Sequence, residues 1–178
     1  SQILVSPMRR AVHTARPLIG KLLLSSGGNT DVTVKLVSDI CENGGVFDGD
    51  RKLTELERVA KYPNNLWKGM GKDELLKEIG SSFVQLDENC MKVDGWWRGG
   101  RESNADYIER CKRVADMLGK FEVDTVLITH GKFFDTLLKV LTGIPVDVED
   151  LEKTDTVVMT GGVALSCLEF DKEKNKMA

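Results

Sequence analysis

Asp124-Thr125-Val126-Leu127-Ile128-Thr129-His130-Gly131 decides how the rest of this sequence is read. An unbroken apolar run flanked by threonines suits a parallel strand buried on both faces, and therefore a central one. Phe133, Phe134, Leu137, Leu138 and Leu141 then recur with helical period until Gly143 and Pro145 supply stop signals. His130 thus falls at a strand-to-helix turn. In an open α/β sheet such a turn lies at the carboxyl edge of the strands, where ligands bind, and the N–H groups that open the helix favour an anion there. The alternative is a histidine that only caps or packs.

Immediately upstream, Ser103 with Asp106 at the third helical position opens a helix that ends at Gly119. Its Tyr107, Ile108, Cys111, Val114, Ala115 and Leu118 share one face. At the other end of the chain, residues 3–5 form a short apolar strand, and Ser6-Pro7 reads as an N-cap with proline at the first helical position. The helix that follows runs to about Leu24 with one apolar stripe, Ala11, Val12, Ala15, Leu18, Ile19, Leu22 and Leu23, and Pro17 removes a backbone donor within it. Residues 32–37 read as a second strand.

Between 46 and 100 the regular pattern gives way to short helical pieces at 53–61 and 72–79 among loops rich in Gly, Asn and Asp. This stretch reads as an excursion or cap on the sheet, with too few apolar residues for a core of its own. Residues 156–160 and 163–170 read as closing strands about a Gly161-Gly162 turn, and 171–178 as a frayed tail. Strands alternating with helices imply an α/β chain, a mostly parallel sheet in a three-layer α/β/α arrangement. A length of 178 residues implies a single domain spanning 1–178.

Apolar residues make up 41% and charged residues 30%, which is neither a disordered nor a membrane composition. No apolar run approaches the length that spans a bilayer. The net charge of -3, with cations interspersed among acids, speaks against a nucleic-acid partner. Cys41, Cys90, Cys111 and Cys167 are scattered without a Cys-x-x-Cys pair, which argues against a zinc site or a disulfide framework and fits reduced thiols in a cytoplasmic protein. No Gly-x-Gly-x-x-Gly follows a strand, which weakens a Rossmann-like nucleotide binder.

Three stretches follow strands and can converge at one sheet edge. They are Ser6-Pro7-Met8-Arg9-Arg10-Ala11-Val12-His13-Thr14-Ala15, Cys41-Glu42-Asn43-Gly44-Gly45-Val46-Phe47-Asp48-Gly49, and Thr129-His130-Gly131. Together they resemble the histidine phosphatase superfamily, with its phosphoglycerate mutase-like fold. The first stretch is similar to the family's Ser-Pro-x-x-Arg-Ala-x-x-Thr-Ala signature, and the resemblance extends to Gly95-Trp96-Trp97.

The resemblance implies that Arg10 binds phosphate, that Arg9 is the variable residue before it, and that His130 with Gly131 is the second active-site histidine. It makes Glu42 the acid, in a loop whose spacing to Gly45 is shifted from the commoner pattern, so Asp39 is a rival. The implied chemistry is phosphoryl transfer to a nucleophilic histidine and release by water, with arginines and the second histidine holding the equatorial oxygens and the acid protonating the leaving alkoxide. Neither a metal nor an organic cofactor is required. The implied partner is a small phosphorylated substrate, with no nucleic acid and no membrane. The Glu42 loop favours hydrolysis; the alternatives are mutase chemistry and a catalytically silent relative that binds phosphorylated ligands.

The family's nucleophile lies in an Arg-His-Gly motif upstream of the signature. The only histidines here are His13 and His130, and His13 reads as a solvated or packed helix residue. We therefore expect the nucleophile-bearing strand to be missing from this chain, the chain alone to be inactive, and residues 126–128 to have an unpaired side. Arg98 and Arg101 read equally as rim charges or as contacts to an anionic substrate. Trp67, Trp96 and Trp97 read as packing rather than substrate platforms.

Overall fold

The computed structural model describes residues 1–25, 31–42, 69–81, 83–97, 102–146, 148, 151, 170–171 and 176–177. Among them, four parallel strands, β1 (Gln2–Val5), β2 (Thr33–Leu36), β3 (Gln85–Leu86) and β4 (Thr125–Ile128), form a sheet in the order β3-β2-β1-β4. Four described helices accompany them: α1 (Arg9–Ser25), α2 (Lys72–Ile79), α3 (Asn104–Gly119) and α4 (Gly131–Thr142). The fold is α/β. Val5 is paired with Leu36 on one side and Ile128 on the other, so the loops after β1, β2 and β4 leave the sheet at one level.

Alternation along β1 decides which helices cover which face. Ile3 and Val5 enter a buried cluster with Val12, Ala15 and Ile19 of α1 and with Leu75 and Ile79 of α2. Leu4 enters a second cluster with Tyr107, Ile108 and Cys111 of α3 and with Phe133 and Leu137 of α4. Burying each large apolar side chain contributes about 1.5–3 kcal/mol, which ties each helix pair to its face.

The local stop and start signals are physical. The Ser103 hydroxyl accepts from the Asp106 N–H at 3.1 Å and donates to the Asp106 carboxylate at 2.6 Å, which caps α3. Gly143 ends α4 at φ 73. Helix α1 starts at Arg9 rather than at Ser6-Pro7, and the Ser6 hydroxyl accepts from the Met8 N–H at 3.3 Å instead. Leu18 is exposed, so the apolar stripe passes through Ala15 and Ile19 without it.

Three expectations need correction. Strand β4 pairs with β1 and has no second partner among the described residues, and Val126 is 46% exposed, so it lies at the rim of the described sheet rather than at its centre. The described part of the 46–100 stretch is integral, because β3 extends the sheet and Met70, Leu75, Ile79, Val84, Cys90 and Trp96 share the core of β1, β2 and α1. Asp87 anchors that short strand by accepting the Ser38 N–H and hydroxyl at 2.5 and 2.8 Å and the Cys90 N–H at 2.8 Å. In the 171–178 tail, β5 (Phe170–Asp171) and β6 (Lys176–Met177) form an antiparallel pair.

The expected elements at 53–61 and 156–160, the Gly161-Gly162 turn and nearly all of 163–170 lie outside the described residues. Cys41, Cys90 and Cys111 are buried and unbridged. No described helix is long and apolar enough to cross a membrane.

Candidate functional site

Because β1 and β4 are parallel neighbours, the chain leaves both side by side, and the Ser6 N–H bonds the Ile128 carbonyl at 2.9 Å. Arg10, at the start of α1, donates from Nε to Nδ1 of His130 at 3.1 Å. On the other side of the ring, Nε2 lies 2.8 Å from the Ser6 hydroxyl oxygen. His130 is only 7% exposed and Ser6 is fully buried.

The hydrogen-bond inventory assigns the proton. An arginine Nε always donates, so Nδ1 is the acceptor, and a neutral ring must then carry its hydrogen on Nε2 and donate it to Ser6. Burial, with the charges of Arg10 and Arg110 adding to it, pushes the His130 pKa down to about 3, so the ring is neutral in ordinary buffers. His130 also stands at the N-cap position of α4 with extended backbone, and its carbonyl accepts the Phe134 N–H at 2.8 Å. The first N–H groups of α4, beginning at Gly131, are the positive end of that helix.

Beside this pair runs the loop after β2. The 3-10 turn Ser38–Ile40 delivers Cys41 and Glu42 to the same edge, and side chains hold four successive carbonyls there. Arg110 donates to the carbonyls of Asp39 at 2.7 Å, Cys41 at 2.9 Å and Glu42 at 3.3 Å, while the Thr129 hydroxyl donates to Ile40 at 2.6 Å. The remaining N–H groups of Arg110 grip the Glu102 carboxylate at 2.8 and 2.6 Å. All five guanidinium donors are thereby used. Burial weakens the hold of Arg110 on its proton, but the Glu102 hydrogen bonds, added to the electrostatics of Cys41, Glu102 and Cys111, outweigh it and keep the guanidinium a cation. Its guanidinium also lies 5.1 and 5.4 Å from the ring centroids of Tyr107 and Phe133.

The structure therefore brings Arg10 and His130 into direct contact, opens α4 at Gly131, and ties Glu42 to the same edge through its backbone. The rival acid, Asp39, has its carboxylate 3.8 Å from Arg113, in a pair exposed on α3. Arg9 and His13 are drawn away to α2: Arg9 reaches Glu78 at 2.5 Å and Glu74 at 2.6 Å, and His13 reaches Glu78 at 2.8 Å. The His13 hydrogen bond, opposed by burial and supported by Arg9, holds the Glu78 carboxyl below its usual range. Trp96, 1% exposed, packs edge-on to Trp97 with centroids 5.7 Å apart. Arg98, Arg101 and Trp67 lie outside the described residues.

Sequence reasoning missed Arg110, Glu102 and the contact from Ser6 to His130. The signal for Arg110 was available: it sits between Tyr107, Cys111 and Val114 on the apolar face of α3, and a cation there needs buried partners. Among the described residues, no three His, Cys, Asp or Glu side chains are grouped to hold a metal. The chain matches no family model and no curated protein, so its function is read from these residues.

Proposed function

We propose that this chain forms the phosphate-binding part of a histidine phosphatase-type enzyme acting on a small phosphomonoester, with a three-layer, phosphoglycerate mutase-like architecture. The observation that carries this reading is the Arg10–His130 contact at the carboxyl ends of two adjacent parallel strands. A fixed cation, a ring that becomes a donor when protonated, and the open start of α4 are the parts that an anionic phosphate needs.

In this reading Arg10 and His130 hold phosphate oxygens, Gly131 leaves the helix start accessible, and Glu42 gives the leaving alkoxide its proton. The phosphoryl group passes to a histidine nitrogen as the alcohol departs, and water then attacks phosphorus to release phosphate and regenerate the imidazole. His130 is engaged through both ring nitrogens and His13 is paired with Glu78, so the nucleophile is a histidine that these 178 residues do not include. The same engagement of both histidines favours a second reading, a catalytically silent relative that binds phosphorylated ligands.

Titration with inorganic phosphate, followed by calorimetry and by the ring nitrogen signals of His130, tests the site. Binding that shifts His130 and is lost in Arg10→Ala supports it. A chain that ignores phosphate, or binds it equally well after Arg10→Ala, overturns it. Phosphohistidine formed by the full-length gene product separates the enzyme from the silent relative.

A further inference from the structure

Building on the reading of Arg10 and His130 as an anion site, we propose that Ser6 is its positioning residue: by accepting the Nε2 hydrogen of His130 it keeps the unprotonated Nδ1 toward Arg10, and a dianion bound at Arg10 brings one proton onto Nδ1 with it. Ser6 is fully buried, 2.8 Å from Nε2, and its oxygen also accepts the Met8 N–H at 3.3 Å. Both acceptor sites of the hydroxyl oxygen are therefore filled from the protein when the ring hydrogen is on Nε2.

Among the described residues the charges that act on the ring are both positive, Arg10 from α1 and Arg110 from α3, and the facing group at the end of β1 is the neutral Ser6 hydroxyl. With nothing bound, these cations and the burial keep the ring neutral. A dianion at Arg10 reverses that field at hydrogen-bond distance, and its oxygens meet a lone pair on Nδ1 where a donor is needed. One proton then passes from solvent to Nδ1, the Arg10 Nε–H turns from the ring to the anion, and the Nε2–H stays on Ser6. The imidazolium so formed donates from both nitrogens.

Sulfate is the appropriate probe because it stays a dianion and supplies no proton of its own. Calorimetry on the full chain in two buffers of different ionisation heat should show uptake of close to one proton, and the association constant should fall about tenfold for each pH unit between roughly pH 5 and 7. Nitrogen-15 spectra should show a hydrogen on Nε2 alone before sulfate and on both nitrogens after it. Ser6→Ala should weaken sulfate binding roughly 10–100-fold, and Ser6→Thr, which keeps the hydroxyl, should restore it. Sulfate binding without proton uptake, or a free ring protonated on Nδ1, overturns the role of Ser6 and leaves the anion site standing. If neither sulfate nor phosphate binds, the site itself falls. The spectra of the unaltered chain decide the question even if Ser6→Ala does not fold.

Discussion

Arg110 and Glu102 meet through two parallel hydrogen bonds of 2.8 and 2.6 Å, with side chains only 5% and 10% exposed. The pair is nearly closed off from water, and the other three donors of Arg110 hold the carbonyls of Asp39, Cys41 and Glu42. The loop carrying the candidate acid is thus pinned from α3.

Removing one member of a buried pair strands the other. Glu102→Ala is expected to cost about 3–5 kcal/mol in urea unfolding, whereas replacing both Glu102 and Arg110 with leucine should cost less than the sum of the single changes. Additive losses would show that the two residues do not act as a unit.

The pH dependence of stability should carry the mark of His130. Its ring takes a proton near pH 6.5 when unfolded but only near 3 when folded, so the unfolded state binds more protons in between. Stability is fully present above about pH 6.5 and is lost as pH falls toward 3, by up to about 1.4 kcal/mol per pH unit. The loss should flatten in His130→Gln relative to the unaltered chain, as measured by urea unfolding at a series of pH values. Parallel profiles would count against the neutral buried ring.

Neighbouring arginines should behave differently. Arg10→Ala is expected to weaken inorganic phosphate binding by roughly 10–100-fold, the scale of a lost charge-assisted hydrogen bond. Arg9→Ala should leave it nearly unchanged and cost at most about 1 kcal/mol of stability, because its partners Glu74 and Glu78 are reached at the surface of α2. Calorimetry and unfolding on the two variants distinguish these outcomes.

Gly69 and Gly143 have similar backbone, at φ 78 and 73, but different surroundings. An added Cβ at Gly143 meets nothing within 4 Å, while at Gly69 it would lie 2.5 Å from Nε1 of Trp96. Gly143→Ala should therefore cost only the left-handed backbone penalty of about 1–2 kcal/mol, and Gly69→Ala clearly more. A shift in tryptophan emission should accompany only the second. Equal losses would place the whole effect in the backbone.

What the sequence determined by itself is local. Helix 72–79 was readable to its ends, Ser103 and Asp106 marked the start of α3, and Gly143 marked the stop of α4. These signals arise from hydrogen bonds and side-chain spacing within a few residues, which a sequence displays directly. The α/β class followed from their alternation. Tertiary structure decided the rest. Whether the apolar run in β4 is central or at a rim depends on which strands pair with it, and β3 is too short to announce itself by period. The protonation pattern of His130 comes from Arg10 and Ser6, more than a hundred positions away, and Arg110 finds its acceptors on a loop some seventy positions upstream. Such pairings are selected by packing and by the need to satisfy buried polar groups, and neither is written in the spacing of neighbours.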